Sequence, residues 1–156
     1  MSSPNEFSVI RFTASNYLSI GSLVDESKRE GYLFVQRTIE DWDSGANRFS
    51  ETAEGLWGLV SGIELIGIGG LNRDPYVEDA HAGRVRHLYI RQAYRRKGCA
   101  SMLMNTIIDQ ARLHFRVLRL FTANPAAAVF YEQLGFERVH GYKVSHLLML
   151  GTGIRG

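Results

Sequence analysis

The chain has 156 residues, a length typical of one domain, so we treat residues 1–156 as a single domain. Its hydrophobic fraction of 45% and charged fraction of 22% are ordinary for a globular protein. The single cysteine, Cys99, excludes an intramolecular disulfide and any zinc site built from several cysteines. The N-terminus has no signal-peptide core and no apolar run is long enough to cross a bilayer. We therefore expect a cytoplasmic protein without a membrane partner.

The formal net charge of +2 is small, but the charges are unevenly distributed. No acidic residue lies between Asp79 and Asp109, a stretch that holds Arg84, Arg86, Arg91, Arg95, Arg96 and Lys97. Such a basic block usually forms a solvated face of a protein. Because this block ends at Gly98, an anionic ligand is the alternative explanation.

The first half of the chain predicts a strand, two helices and a hairpin, in that order. Alternating residues predict a strand over 7–12. Asn16 is a candidate helix cap, and the helix that it begins should run to about residue 31 with Leu18, Leu23 and Val24 buried. The helical spacing of Val35, Ile39 and Trp42 predicts a second helix over 32–43. A hairpin follows over 56–60 and 64–71, and residues 72–83 have the composition of a loop.

The second half has stronger local signals. It predicts a strand over 85–90, a basic turn over 91–97, a helix from Gly98 to Phe115 and a strand over 117–122. A short helix should follow, since Asn124 can cap it, Pro125 suits its first position and Gly135 its left-handed end. Strands over 137–139 and 144–150 end the chain. This order predicts an α/β domain with a mixed central sheet.

The basic turn between a strand and a helix is a candidate anion site. A helix N-terminus carries unpaired N–H groups and a partial positive charge, which attract phosphate. Gly98 permits a sharp turn and Ala100 keeps the next position small, so the backbone can approach a bound oxygen. Arg95, Arg96 and Lys97 can add hydrogen bonds to phosphates.

Three segments together resemble the cofactor-binding motifs of the GNAT superfamily of N-acetyltransferases. Arg95-x-x-Gly98-x-Ala100 resembles its pyrophosphate turn, and Leu88-Tyr89-Ile90 resembles the strand that pairs with the pantetheine arm. The stretch from Asn124 through Ala127 and Tyr131 to Gly135-Phe136 resembles its second cofactor motif. The resemblance implies acetyl-CoA as co-substrate, no metal, and a cofactor contact set of Leu88, Tyr89, Ile90, Arg95, Arg96, Lys97, Gly98, Cys99, Ala100, Ser101, Asn124, Ala127 and Tyr131.

The resemblance also implies a fold and a reaction. The sheet should be mixed and mostly antiparallel, with helices on both faces, and the strands 85–90 and 117–122 should splay apart around the acyl-CoA arm. The reaction would transfer an acetyl group to a primary amine of a small molecule or a protein by direct attack in a ternary complex. Tyr131 would donate a proton to the departing thiolate, although an aromatic residue on a short helix can also be a packing residue. Backbone N–H groups near Ile90 would stabilise the oxyanion.

The general base is left open. The strand over 85–90 contains no carboxylate, and His87 is the residue in it that titrates near neutral pH. Strand alternation puts His87 on the side of Val85 and Tyr89, opposite Leu88 and Ile90, so it is also a candidate structural histidine. A chain of water molecules could also act as the base. The other candidate bases are surface side chains, namely Glu64, Glu78, Asp79 and His81.

Two other functions and a homodimer are considered from the same sequence. A nucleic-acid-binding module is disfavoured because the helix after the turn carries a buried apolar stripe in place of a readable polar face. An acyl-CoA-binding sensor without turnover remains the alternative, with Tyr131 as the argument against it. Tyr32, Trp42 and Trp57 either line an acceptor pocket or belong to the core. The apolar strand over 144–150 suggests an open sheet edge and hence a homodimer.

Overall fold

The computed structural model describes residues 6–151, and within them seven strands form one sheet flanked by four α-helices. The strands are β1 (Phe7–Arg11), β2 (Gly55–Ser61), β3 (Glu64–Arg73), β4 (Ala82–Ile90), β5 (Val117–Leu120), β6 (Glu137–Gly141) and β7 (Val144–Met149). The helices are α1 (Val24–Arg29), α2 (Phe34–Ser44), α3 (Cys99–Arg112) and α4 (Pro125–Gln133), with short 3₁₀ segments at Tyr17–Leu23 and Gln92–Tyr94.

The sheet has the order β1-β2-β3-β4-β5-β7-β6, and β4–β5 is its one parallel pair within the described residues. Strands β4 and β5 are paired at three positions, from Ala82↔Val117 to Arg84↔Arg119, and beyond Arg84 they have no pairing. The other neighbours are antiparallel. The predicted mixed, mostly antiparallel sheet with two splayed strands is therefore confirmed.

Helices cover both faces of the sheet. The apolar stripe of α3, including Leu103, Ile107 and Ala111, is buried against one face, as its spacing predicted. On the other face, Val35 and Trp42 of α2 pack with the 3₁₀ segment that precedes α1. No helix within residues 6–151 is long and apolar enough to span a bilayer.

The first helical segment differs from its prediction. It is a 3₁₀ segment followed by the short helix α1, and the side chain of Asn16 does not cap it. The Asn16 amide instead accepts from the backbone N–H of Thr13 at 2.7 Å and donates to the carbonyl of Arg11 at 3.2 Å. Leu18 was predicted to be buried but is 65% exposed, whereas Leu23 is fully buried.

A bulge in β4 changes which side chains share a face. Ile68 pairs with Tyr89 and Gly70 pairs with Arg86, so His87 and Leu88 stand opposite the single residue between them on β3. His87 takes up the extra length with a φ of +59°. The predicted shared face of Val85 and His87 is therefore wrong: Val85 belongs to the core under α3, whereas the His87 ring lies against aromatic rings of the α2 face.

The last two strands do not leave the strand over 144–150 at an edge of the sheet, as the homodimer prediction assumed. Strand β7 lies between β5 and β6, so its backbone is paired on both sides. The open edges of the described sheet are β1 and β6, and the predicted open edge over 144–150 is wrong. The homodimer itself stays a prediction.

Helix α4 has the two ends that its sequence predicted. The Oδ1 atom of Asn124 accepts from the N–H groups of Ala126 at 2.9 Å and Ala127 at 3.3 Å, and Pro125 occupies the first helical position. Gly135 follows the helix with a φ of +102°, a conformation that other residues rarely adopt. These contacts fix the start of α4 close to the open ends of β4 and β5.

We expect Asn124→Ala to lower the free energy of unfolding by about 1 kcal/mol, because it removes the acceptor for two helix N–H groups. Urea denaturation measures the change. Asn105→Ala is the matched control, since Asn105 is exposed in the middle of α3, where alanine is the better helix former. Equal stabilities of the Asn124 variant and the wild type would contradict the capping role.

Candidate functional site

The separation of β4 from β5 opens a cleft of about 890 Å³. Its walls are formed by β4, by the turn before α3, by the segment after β5 and by α4. Twelve of the thirteen predicted cofactor contacts line it. The exception is Lys97, an exposed residue whose Nζ lies 5.7 Å from the centroid of the Tyr94 ring. The sequence thus predicted the residues of one continuous site.

The turn before α3 presents a row of free N–H groups. No backbone or side-chain acceptor within residues 6–151 takes a hydrogen bond from the amides of residues 96–101. Arg96 and Gly98 both have left-handed backbone conformations, with φ of +64° and +80°, which turn successive N–H groups toward one side. A Cβ on Gly98 would meet no atom within 4 Å, so the backbone angle is what requires glycine there.

Arg95 lines the cleft, but its charge is already paired. Its two terminal nitrogens donate to the carboxylate of Glu30 at 2.6 and 2.7 Å, and its Nε donates to the carbonyl of Ile90 at 2.9 Å. These hydrogen bonds lower the pKa of Glu30 below its ordinary value. The guanidinium of Arg95 therefore ties α1 to the end of β4, whereas Arg96 has no such partner among the described residues.

Tyr89 contributes to the cleft mainly through its backbone. Its hydroxyl lies 2.5 Å from Oε1 of Glu30 and 3.0 Å from Oε2 of Glu26, behind the strand. Burial, together with these two acceptors, raises the pKa of Tyr89 above its ordinary value. The edge of β4 that faces β5 has no strand partner beyond Arg84, so its backbone groups are available to a ligand.

Tyr131 combines packing with access to the cleft. It is 7% exposed, and its ring packs against Phe130 and Phe136 at centroid distances of 5.2 and 5.5 Å. Burial raises the pKa of its phenol, so the hydroxyl stays protonated at neutral pH. We find no hydrogen-bond partner for this hydroxyl in the described part of the chain, and the residue lines the cleft.

Of the five candidate bases, only His87 borders the cleft. Burial, and then the charge of Arg86, lowers the pKa of His87 to about 4, and its Nδ1 is buried without a partner. Glu64 lies on the β2–β3 hairpin and accepts from the Tyr94 hydroxyl at 2.8 Å. The remaining three candidates, Glu78, Asp79 and His81, lie in the β3–β4 loop outside the cleft.

Several cleft residues were not predicted from the sequence. The α2 side of the cleft carries Arg84 and Arg86 from the basic block, together with aromatic side chains of α2, the β3–β4 loop and the segment after β5. Tyr32 lines the cleft, and its hydroxyl accepts from Nδ2 of Asn124 at 3.1 Å. Trp42 and Trp57 belong to the core instead. Strand alternation could have indicated the two arginines, because both precede the bulge.

Comparisons with known proteins agree on one family and fold. The family model described as Acetyltransferase (GNAT) family matches residues 20–136. A provisionally named acetyltransferase from Exiguobacterium sp. 255-15 is 26% identical with a TM-score of 0.80, covering 92% of this chain and 93% of its own. A GNAT-family acetyltransferase from Staphylococcus aureus Mu50 is 12% identical with a TM-score of 0.72, and the alignment covers 91% of this chain and 96% of that one.

The ribosomal-protein-S18-alanine N-acetyltransferase of Escherichia coli has the same fold at greater sequence distance. It is 11% identical with a TM-score of 0.67, and the alignment covers 94% of this chain and 96% of that one. No curated protein sequence matches the chain. The comparisons therefore identify a family and a fold without an acceptor.

We expect His87 to make the protein less stable as the pH falls. Since its folded pKa of about 4 lies below its unfolded value of 6.5, protons bind preferentially to the unfolded chain between these values. From pH 7 to pH 5, His87 should cost about 2 kcal/mol of unfolding free energy. Urea denaturation at both pH values should show this loss reduced in His87→Asn, since asparagine tolerates the positive φ.

His140→Asn is the control, because His140 is exposed on β6. It should keep the pH dependence of the wild type. A His87→Asn protein whose stability falls as steeply as that of the wild type would show that His87 is not held neutral by its surroundings.

Proposed function

Because the chain belongs to the GNAT family of acetyltransferases, we propose that it transfers an acetyl group from acetyl-CoA to a primary amine by direct attack in a ternary complex. The observation that carries this proposal is the coincidence of two features in one cleft. The free N–H groups of residues 96–101 lie at one end, and the unpaired edge of β4 leads away from them. The acceptor would be a small molecule or a protein.

The turn fits the pyrophosphate of a coenzyme A ester. Six successive amides at the start of a 14-residue helix can donate to phosphate oxygens, and the helix dipole adds to their positive potential. The unpaired guanidinium of Arg96 and the exposed ammonium of Lys97 can bind further phosphate oxygens. The amide groups of the pantetheine arm match the free backbone edge of β4.

When bound, acetyl-CoA supplies an acyl group activated as a thioester. Backbone N–H groups at the end of β4, near Ile90, donate to the acyl oxygen as negative charge develops on it. Tyr131 donates a hydrogen bond toward the sulfur as the thiolate departs. Since burial raises its pKa, the phenol stays protonated, and full proton transfer requires that the sulfur be as desolvated as the phenol.

Deprotonation of the acceptor is helped by the charge of the cleft. No Asp or Glu of the described chain borders it, and His87, with a pKa of about 4, is a weak base at neutral pH. Arginines in the walls lower the pKa of an ammonium bound beside them, because like charges disfavour the protonated form. Water in the half-open cleft then carries the proton to solvent.

A regulatory module that binds acyl-CoA without turnover is the second candidate. The absence of a carboxylate from the cleft walls within the described chain favours it, whereas the position of Tyr131 in the cleft favours turnover. Acetyl-CoA consumption in the presence of a panel of amines separates the two functions. Binding of acetyl-CoA with no consumption above the background would support the regulatory module.

We expect acetyl-CoA at 100 times its Kd to raise the melting temperature by about 5–10 °C, since it binds the native state only. Thermal unfolding measures the shift. Gly98→Glu should abolish it by forcing a left-handed glutamate beside the phosphates. Gly62→Glu is the matched control, because Gly62 has a φ of +61° and equally open surroundings in the β2–β3 turn.

The control should lose some intrinsic stability but keep the full acetyl-CoA shift. Dephospho-CoA should stabilise less than coenzyme A if Arg96 or Lys97 binds the 3′-phosphate. A wild-type protein that shows no shift with saturating acetyl-CoA would overturn the proposed function.

Tyr131→Phe keeps the packing of the ring and removes only the hydroxyl. If the hydroxyl assists the departing thiolate, kcat should fall by about 10²–10⁴-fold while the Kd for acetyl-CoA changes little. Steady-state kinetics with an active amine measure this. Tyr94→Phe is the control, because its hydroxyl contacts Glu64 outside the cleft, and it should retain wild-type kcat. A Tyr131→Phe kcat within about twofold of wild type would exclude the acid role.

A further inference from the structure

We infer that the acceptor amine carries a carboxylate, which Arg86 binds, and that its body is apolar, as in the amino acids with large apolar side chains. The inference rests on the proposed function and specifies the acceptor class of the same cleft. It depends on the distribution of charge along the cleft and on the side of β4 to which Arg86 points.

The cleft is lined by four arginines and by no carboxylate among the described residues. Two of the four lie beside carboxylates behind the walls, although Asp74, the partner of Arg84, is shared with Arg119. Glu30 forms a two-pronged pair with Arg95. Asp74, whose side chain is fully buried, lies 3.5 Å from Arg84. The side chains of Arg86 and Arg96 make no ion pair or hydrogen bond with any residue in 6–151, so their charges are uncompensated.

These two arginines lie at different parts of the site. Arg96 belongs to the turn at the start of α3, where the phosphates fit. Arg86 pairs across the sheet with Gly70, and a Cβ on Gly70 would lie 2.7 Å from the Phe49 ring of the α2 core. Because residues paired across a sheet share a face, the Arg86 side chain lies on the α2 face, opposite α3. If the phosphates occupy the turn at Arg96, Arg86 is the uncompensated guanidinium left to contact the acceptor.

The chemistry of this region selects against a simple cation. A bare alkylammonium, and even more a polyamine, is repelled by the uncompensated guanidinium of Arg86. A carboxylate on the acceptor removes this repulsion and matches the guanidinium as a two-pronged hydrogen-bond partner. An acceptor with its own carboxylate can thus bind beside Arg86, where a bare ammonium is repelled.

The remaining walls on the acceptor side are aromatic. Tyr32 and Phe34 contribute from the start of α2, Tyr76 from the β3–β4 loop and Phe121 from the end of β5. The Tyr32 ring lies 5.5 Å from Phe34 by centroid, so the two form one apolar surface. Such a surface packs an apolar side chain and offers no carboxylate to a second ammonium. An amine at a protein N-terminus lacks the adjacent free carboxylate and fits less well.

The test uses leucine, methionine and phenylalanine as acceptors and compares each with its own C-terminal amide. Spermidine and a short peptide are tested as further acceptors that lack a carboxylate next to the amine. We expect kcat/KM for the best acid to exceed that of its amide by about 10–100-fold, mainly through KM, as for a hydrogen-bonded charge pair. Arg86→Gln should remove this preference while leaving the thermal shift with acetyl-CoA unchanged. Arg86→Lys should restore part of it, since it keeps the charge and loses the fork.

Arg112→Gln is the matched control, because Arg112 is exposed at the far end of α3, about 20 Å along the helix from the turn. It should keep the wild-type preference. If acetyl-CoA gives no thermal shift, the proposed function fails and this inference fails with it. If the shift is present but amides, spermidine or the peptide are acetylated as well as the acids, or no acid is acetylated, the acceptor class is wrong. A preference that survives Arg86→Gln overturns the role of Arg86.

Discussion

Asp74 lies at the point where the sheet divides, and its two ion pairs fix that point. Its Oδ2 is 3.5 Å from Nη1 of Arg84 on β4 and 3.3 Å from Nη1 of Arg119 on β5. Arg84 and Arg119 are the last residues that pair β4 with β5. A buried carboxylate is costly unless its charge is matched, so the two arginines must stay beside it. Arg84 also donates to the carbonyl of Lys143 at 2.6 Å, which holds the β6–β7 turn at the same place.

Beyond Arg84 and Arg119, strands β4 and β5 are no longer paired, and the cleft lies between them. Strand β5 is four residues long, whereas β4 continues to Ile90 along β3. The chain leaves β4, makes the turn over residues 96–101 and enters α3, so the helix N-terminus arrives at the mouth of the cleft. Asn124 begins α4 on the opposite wall and contacts Tyr32 across the mouth. One short parallel pair therefore brings together a row of free N–H groups, a free strand edge and a protonated phenol.

The bulge in β4 divides the side chains of the strand between the two faces of the sheet. Before it, Arg84 and Arg86 face α2; after it, Leu88 and Ile90 join the core under α3. In the proposed function, side chains on the α2 face would contact the acceptor, while backbone groups of the same strand would bind acetyl-CoA.

Those elements whose signals are local could be predicted from the amino-acid sequence alone. The spacing along α3, the Asn124-Pro125 start and Gly135 end of α4, and the glycine turn all act through neighbours a few residues apart. Tertiary structure decided the rest, because strand pairing and ion pairing join residues that are distant in the chain. Arg95 finds Glu30 65 residues away, β7 inserts between β5 and β6, and the bulge at His87 depends on its register with β3. None of these has a local signal, since each depends on which distant backbone or charge is near once the chain has folded.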